Sequence, residues 1–283
     1  MSLASIMVHV GADAGTQVRV EIARELAARF EARLIGIAGQ APPVAVSGDI
    51  VGETDDPRAG GDIVEGDETE QPDTAAVVSW LAGLENAFRA KAEFPAGVTF
   101  RRAVEQPTAF IVREARAADL VILGRAAASD IADRAVDPAT VLMHSGRPLL
   151  VIPDGVGMLS AKRVVIGWKD TREARRALHD ALPLLKRTDE VIIASVEEPY
   201  HSPVDPRTLD DVAAYLDWHG IGATITRRPD GNVGEVLGTI AGEKGADLII
   251  AGGYGHSRLS ERVFGGVTQQ LLWSSPLCCL LSH

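Results

Sequence analysis

The segment ADLVILG at residues 118–124 returns as ADLIIAG at 246–252, an offset of 128. RPLLVI from Arg147 returns at the same offset as SPLCCL from Ser275. Further upstream the offset widens. IMVHV at 6–10 answers VVIGW at 164–168, an offset of 158, and RLIGIAG at 33–39 answers EVIIASV at 190–196, an offset of 157. A chain that repeats its apolar segments in one order is expected to fold as two copies of one unit. The first copy is about thirty residues longer, by the difference between these offsets. The excess falls between Gly39 and the strand expected near Val98.

Residues 41–73 fit that insertion. They hold ten acids and one base, Arg58, and so carry −9 of the net charge of −11. Their Pro, Gly and acid content cannot build a core and reads as a loop. The rest of the chain is close to neutral and shows no basic stripe, which argues against nucleic-acid binding. No run of eighteen apolar residues exists, so no membrane span is expected. The N-terminus lacks the pattern of a signal peptide, and a cytoplasmic location is expected. The two cysteines, Cys278 and Cys279, are adjacent. Neighbours in a strand point to opposite faces, so they read as structural thiols and not as a disulfide.

Each copy reads as five strands alternating with four helices. In the second copy, strands are expected at 163–168, 190–196, 222–228, 247–251 and 277–281. Helices are expected at 171–186, 206–219, 232–244 and 266–274. The strands 247–251 and 277–281 are apolar throughout, as parallel strands covered on both faces are. TREARRALHDALPLL places Ala174, Ala177, Leu178, Ala181, Leu182 and Leu185 on one helical stripe, with Thr171 as N-cap. The fold class is therefore α/β: two tandem five-stranded, doubly wound, Rossmann-like parallel-sheet domains, at 1–155 and 160–283. Ligands of such sheets bind at the carboxyl ends of the strands, where strand order reverses.

The stretch GGYGHSRLSERVFGG, residues 252–266, begins at such an end. Its spacing is G-x2-G-x9-G-G. Gly252 and Gly255 would turn the chain after the strand, and Gly265 and Gly266 would open the next helix. Glycines let a ligand approach the main chain, and a helix N-terminus offers free N–H groups to an anion. The same glycines could equally serve tight strand–helix packing. Arg258 could fork onto phosphate oxygens or pair with Glu261 on the surface.

This glycine spacing after an apolar strand, inside a repeated five-stranded α/β unit, resembles the universal stress protein family. The closing segment SPLCCLLS resembles the family's last strand. The resemblance spans both halves and is stronger in the second. It implies a tandem, nucleotide-responsive regulatory protein in stress response, at most a slow ATPase, that binds ATP or a related adenine nucleotide in its C-terminal domain. It implies that Gly252 and Gly255 meet ribose and phosphates, and that Gly265 and Val267 offer amides to the phosphates. Ala251 would line the nucleoside and Val196 would lie near the adenine. It also implies an intramolecular pseudo-dimer through the closing strands near 148–152 and 277–281. Homodimers and an unidentified protein partner remain open.

Two positions depart from the family pattern. Gly266 stands where a Ser or Thr hydroxyl is usual. Lys169 stands where an acid usually faces the adenine amino group, with Asp170 one residue later. A lysine cannot accept that donor. In the first copy only Gly124 keeps the glycine pattern. Ala127 replaces Gly255, and Asp137-Pro138 replaces Gly265-Gly266, a sequence that suits a helix start and not an anion. The first copy is therefore expected not to bind nucleotide in the usual way. No HExxH, CxxC, GxSxG or Walker A pattern occurs, so zinc, hydrolase and P-loop readings find no support. His201, His219 and nearby acids do not have metal-ligand spacing. The alternative reading is a scaffold or interaction module that has abandoned nucleotide.

Overall fold

The computed structural model describes residues 2–42, 74–90, 97–125, 135–196, 206–229, 231–255 and 266–283. Most of the acidic stretch 41–73, together with Arg58, Arg258, Gly265 and His201, lies outside the described residues.

The first half runs β1 (Ser5–His9), α1 (Thr16–Phe30), β2 (Arg33–Gly39), α2 (Thr74–Ala90), β3 (Val98–Ala103), α3 (Pro107–Glu114), β4 (Leu120–Gly124), α4 (Pro138–His144) and β5 (Leu149–Ile152). The second half repeats the order as β6 (Arg163–Gly167), α5 (Arg172–Leu185), β7 (Glu190–Val196), α6 (Pro206–Trp218), β8 (Ala223–Arg228), α7 (Val233–Lys244), β9 (Leu248–Gly252), α8 (Gly266–Trp273) and β10 (Cys278–Ser282). Each boundary expected for the second copy lies within one residue of the one observed.

The strands form one ten-stranded sheet in the order β3-β2-β1-β4-β5-β10-β9-β6-β7-β8. Every neighbouring pair within a half is parallel. The halves join where β5 and β10 run antiparallel, with Cys279 opposite Val151 and Leu281 opposite Leu149. The order is a palindrome about that seam, so each half has its own reversal of strand order, between β1 and β4 and between β6 and β9.

Alternate residues of each strand enter two separate cores. On one face Ile6, Val8, Val164, Ile166 and Leu280 pack beneath α1, α2, α5 and α6. On the other Met7, Val165, Ile249, Cys279 and Leu281 pack beneath α3, α4, α7 and α8. Both cysteines are free and buried, and burial pushes both thiols up to about 12. They act as small apolar side chains.

The caps form as their residue types dictate. Thr171 accepts from Ala174 N at 3.2 Å and starts α5. Asp137 accepts from Ala139 N at 3.0 Å and Thr140 N at 3.3 Å, and Pro138 follows it into α4. The repeated Ala-Asp-Leu has a structural cause. Asp119 accepts from Ala4 N at 2.8 Å and Ser5 N at 3.0 Å, where the chain enters β1. Asp247 accepts from Ser160 N at 2.6 Å and Ala161 N at 3.1 Å, just ahead of β6. Each carboxylate fastens the start of one central strand to the start of the next.

Candidate functional site

The carboxyl ends of β6, β7 and β9 frame the crevice of the second half. Pairing sets Gly167 beside Ala194 on one side and Ala251 on the other. Three small residues therefore lie in one row across the sheet. Val196 ends β7 two residues beyond Ala194 and is half-buried, while Ala251 is buried. The row has a counterpart in the first half at the offsets of the repeat. There His9 pairs with Ile37, and Leu123 is the next residue of β4 after Ile122. Ile37 and Leu123 are fully buried. One half thus carries Ala-Gly-Ala where the other carries Ile-His-Leu.

The first half fills its crevice with its own charges. Arg19, 2% exposed, crosses from β1 to β4. Its Nε donates to His9 O at 2.9 Å, and a side chain at Gly124 would collide with its guanidinium. Its other nitrogens donate to Asp13 at 3.0 and 2.8 Å and to Thr16 Oγ1 at 2.8 Å. Burial lowers the His9 pKa to about 3, aided by the Arg19 charge and opposed by Asp13. Burial alone would raise the Asp13 pKa, but its bonds to Arg19 and Thr16 hold it well below the usual carboxylate range.

The second half arranges these ends differently. Gly252 closes β9 against the start of α5, where a Cβ would lie 2.5 Å from Ala174 N. That glycine is required by packing. At Gly255 a Cβ would lie 3.0 Å from Glu173 Oε2 and 3.2 Å from Thr171 Oγ1. Glu173 is buried and binds Arg172 through its other oxygen at 2.8 Å. Burial pushes its pKa up. Its own backbone N–H, Arg172 and His283 outweigh that and hold it below the usual value.

Between these glycines the chain makes a tight turn. Gly253 N donates to Ser282 O at 2.8 Å. Tyr254 N donates to Thr268 Oγ1 at 3.0 Å, with Tyr254 in the left-handed region at φ 58°. Burial, then the Asp137 charge, pushes the Tyr254 hydroxyl up to about 12. Gly266, exposed, begins α8, and a side chain there would meet open space. The first amides of α8, on Gly266 and Val267, have no acceptor within their own helix.

Val196, Ala251, Gly252, Gly255, Gly266 and Val267, the residues expected at the site, lie at the ends of β7 and β9 and at the start of α8. Arg258 and Gly265 are outside the described residues. Asp170, considered as a replacement acceptor for adenine, binds Arg175 at 2.6 Å. His219 lies edge-on to Tyr215 with ring centres 4.8 Å apart. Among the described residues no group of three or more His, Cys, Asp or Glu side chains could hold a metal. Glu173, Thr268, Gly167 and Ala194 were not picked out from the sequence. Gly167 and Ala194 could have been found by comparing the aligned copies position by position.

Residues 160–283 match the universal stress protein family. The second half of the chain belongs to that family. No curated protein matches the chain. A universal stress protein from Archaeoglobus fulgidus DSM 4304 has a similar structure, with a TM-score of 0.64, 16% identity, and coverage of 98% of this chain and 97% of that one. A functionally unknown protein from Pseudomonas aeruginosa PAO1 is similar at a TM-score of 0.56 and 12% identity, over 99% of this chain and 92% of that one. At these identities the likeness is one of fold, and it extends across both halves. Among the described residues, no helix of this universal stress protein relative is long and apolar enough to cross a membrane.

Proposed function

We propose that the chain is a nucleotide-responsive regulatory protein of the stress-protein type, binding an adenine nucleotide such as ATP in a domain spanning 160–283. The domain at 1–155 is its non-binding partner. The base and ribose lie over the ends of β6, β7 and β9, near Val196 and Ala251. The phosphates lie between the turn at Gly252 and Gly255 and the first amides of α8, where Gly265, Gly266 and Val267 supply main-chain donors. Arg258 adds a cation to that group. The role is binding, and no reaction is assigned.

The observation that carries this reading is the contrast between the two crevices. Arg19, bonded to His9 O and Asp13, fills the strand ends of the first half, whereas in the second half α8 starts at an exposed Gly266 where an added side chain would meet open space. A second reading, a scaffold without nucleotide, draws support from the turn itself. The amides of Gly253 and Tyr254 are bonded internally, and the Glu173 carboxylate faces Gly255.

Two measurements separate them. The purified chain is denatured and any released nucleotide identified. ATP is then titrated by calorimetry into the unaltered chain, Gly266→Glu and Glu173→Gln. Gly266→Glu adds a carboxylate where space is open, so the fold should survive while ATP affinity falls about tenfold or more. Glu173→Gln removes a like charge and should tighten binding. No heat at millimolar ATP, with no released nucleotide, leaves the scaffold reading in place.

A further inference from the structure

The turn that follows β9 is walled by the opposite half. At Gly253 a Cβ would lie 2.6 Å from Leu142 Cδ2 and 3.5 Å from Thr268 Cγ2. Leu142 belongs to α4 of the first half and is 1% exposed. Thr268, on α8, accepts the Tyr254 amide. The seam is not symmetric. The residue that answers Gly253 in the repeat is Arg125, which donates from Nη1 to Ser275 O at 2.9 Å, while its N–H donates to Ile152 O just as Gly253 N donates to Ser282 O. The closing strands answer each other at an offset of 130, which sets the buried Leu272 of α8 opposite Leu142, so the asymmetry lies in Gly253 against Arg125. Only one of the two turns therefore pairs a bare glycine with a buried leucine of the other half.

We propose that Leu142 is a positioning residue for the ligand turn of the second half, so that the first half completes a site it does not itself contain. This rests on the nucleotide reading. Contacts that hold the turn include the Ser282 carbonyl, the Thr268 hydroxyl, the Leu142 side chain and the His283 ring, whose Nδ1 lies 3.1 Å from Gly253 O. The first two hold amides of Gly253 and Tyr254. The third occupies the space where a Gly253 side chain would go, on the α4 side, and so limits the turn that holds Tyr254 in its left-handed conformation, which a tyrosine adopts only when its surroundings demand it. Removing Leu142 frees the turn to relax towards α4 and away from Gly255 and α8, where the phosphates are held. Binding of the base and ribose, over β6 and β7, does not depend on that contact. Retention of a half whose own crevice is closed by Arg19 then has a physical reason.

The test is a double-mutant cycle of Leu142→Ala and Gly253→Ala, with ATP and adenosine as probes. Each single change should weaken ATP about tenfold and adenosine less than about twofold, and the pair should recover most of the ATP affinity, because the methyl added at 253 occupies the space vacated at 142. Leu142→Met, which keeps the volume, should restore binding. Hydrogen exchange of the Gly253 and Tyr254 amides in the ligand-free chain supplies a second readout. Leu142→Ala should speed both while leaving the β9 amides unchanged. Additive losses in the cycle, equal losses for ATP and adenosine, or unchanged exchange at 253 and 254 would overturn the assignment while the nucleotide reading stands. Failure of the unaltered chain to bind ATP overturns both.

Discussion

His9 and Gly167 stand at one position of the repeat and meet opposite fates. Gly167 presents no side chain and leaves α7 to approach, with Leu237 Cδ1 2.8 Å from where a Cβ would be. His9 has its carbonyl taken by Arg19 and its ring placed in that cation's field. The ring is held neutral, with a pKa of about 3 against an ordinary 6.5. An unfolded chain takes up this proton near 6.5, while the folded chain resists until about 3. Unfolding therefore binds a proton in that window, and stability is complete above it and declines as pH falls through it. The groups facing the ring are Arg19 and Asp13, and Asp13 stays ionised across the window. His9→Gln should flatten the acid limb of a urea-midpoint profile between about pH 6.5 and pH 4 and leave the profile above 7 parallel to that of the unaltered chain. Parallel profiles throughout would mean that the ring is protonated in the folded state.

At the scale of elements, the aspartates of the repeated Ala-Asp-Leu decide how the central strands start. Asp247 receives two backbone N–H groups from residues 160 and 161, and Ala161 is held at φ 51°. Hydrogen bonds to an ionised acceptor are among the stronger ones, so Asp247→Ala should cost about 2–3 kcal/mol in urea unfolding. Asp247→Asn keeps an acceptor and should recover part of that. A loss below about 0.5 kcal/mol would show that water serves these amides equally well. Such elements were legible because their signals are local. Thr171 and Asp137-Pro138 announce their helices within four residues, and the all-apolar runs at 247–251 and 277–281 announce central strands. The site was legible only as a location. Gly252 was read for its approach to a ligand, yet its immediate neighbour is Ala174 N, 78 residues earlier in the chain. Glu173 beneath Gly255 and Leu142 against Gly253 are contacts across elements and across halves, and no local pattern encodes them. Periodicity reports which face a residue lies on and is silent on what meets it there.

For the whole molecule, the seam between β5 and β10 covers the two inner strand edges. Each of these strands is buried on both faces, and each covers the other's edge. The sheet is left with β3 and β8 as its outer strands. These carry Arg101 and Arg102, and Arg227 and Arg228, charges of the kind that discourage edge-to-edge pairing. A fragment comprising residues 160–283 would lose β5 and expose the edge of β10, whose Cys-Cys-Leu-Leu run carries no charge to protect it. The same pairing geometry can then be satisfied by a second copy, because an antiparallel edge is complementary to itself about a twofold axis. We expect the fragment to form a concentration-dependent dimer in sedimentation equilibrium, while the full chain shows no such association at the same concentrations. Adding the separately produced residues 1–155 should convert that dimer into a one-to-one complex, since β5 restores the native partner along with Leu142, the Arg125 guanidinium that donates to Ser275 O and the Gly146 carbonyl that accepts from Arg176. A fragment that stays monomeric with native circular dichroism would show that the edge of β10 needs no cover, and that the two halves are held together chiefly by their helices.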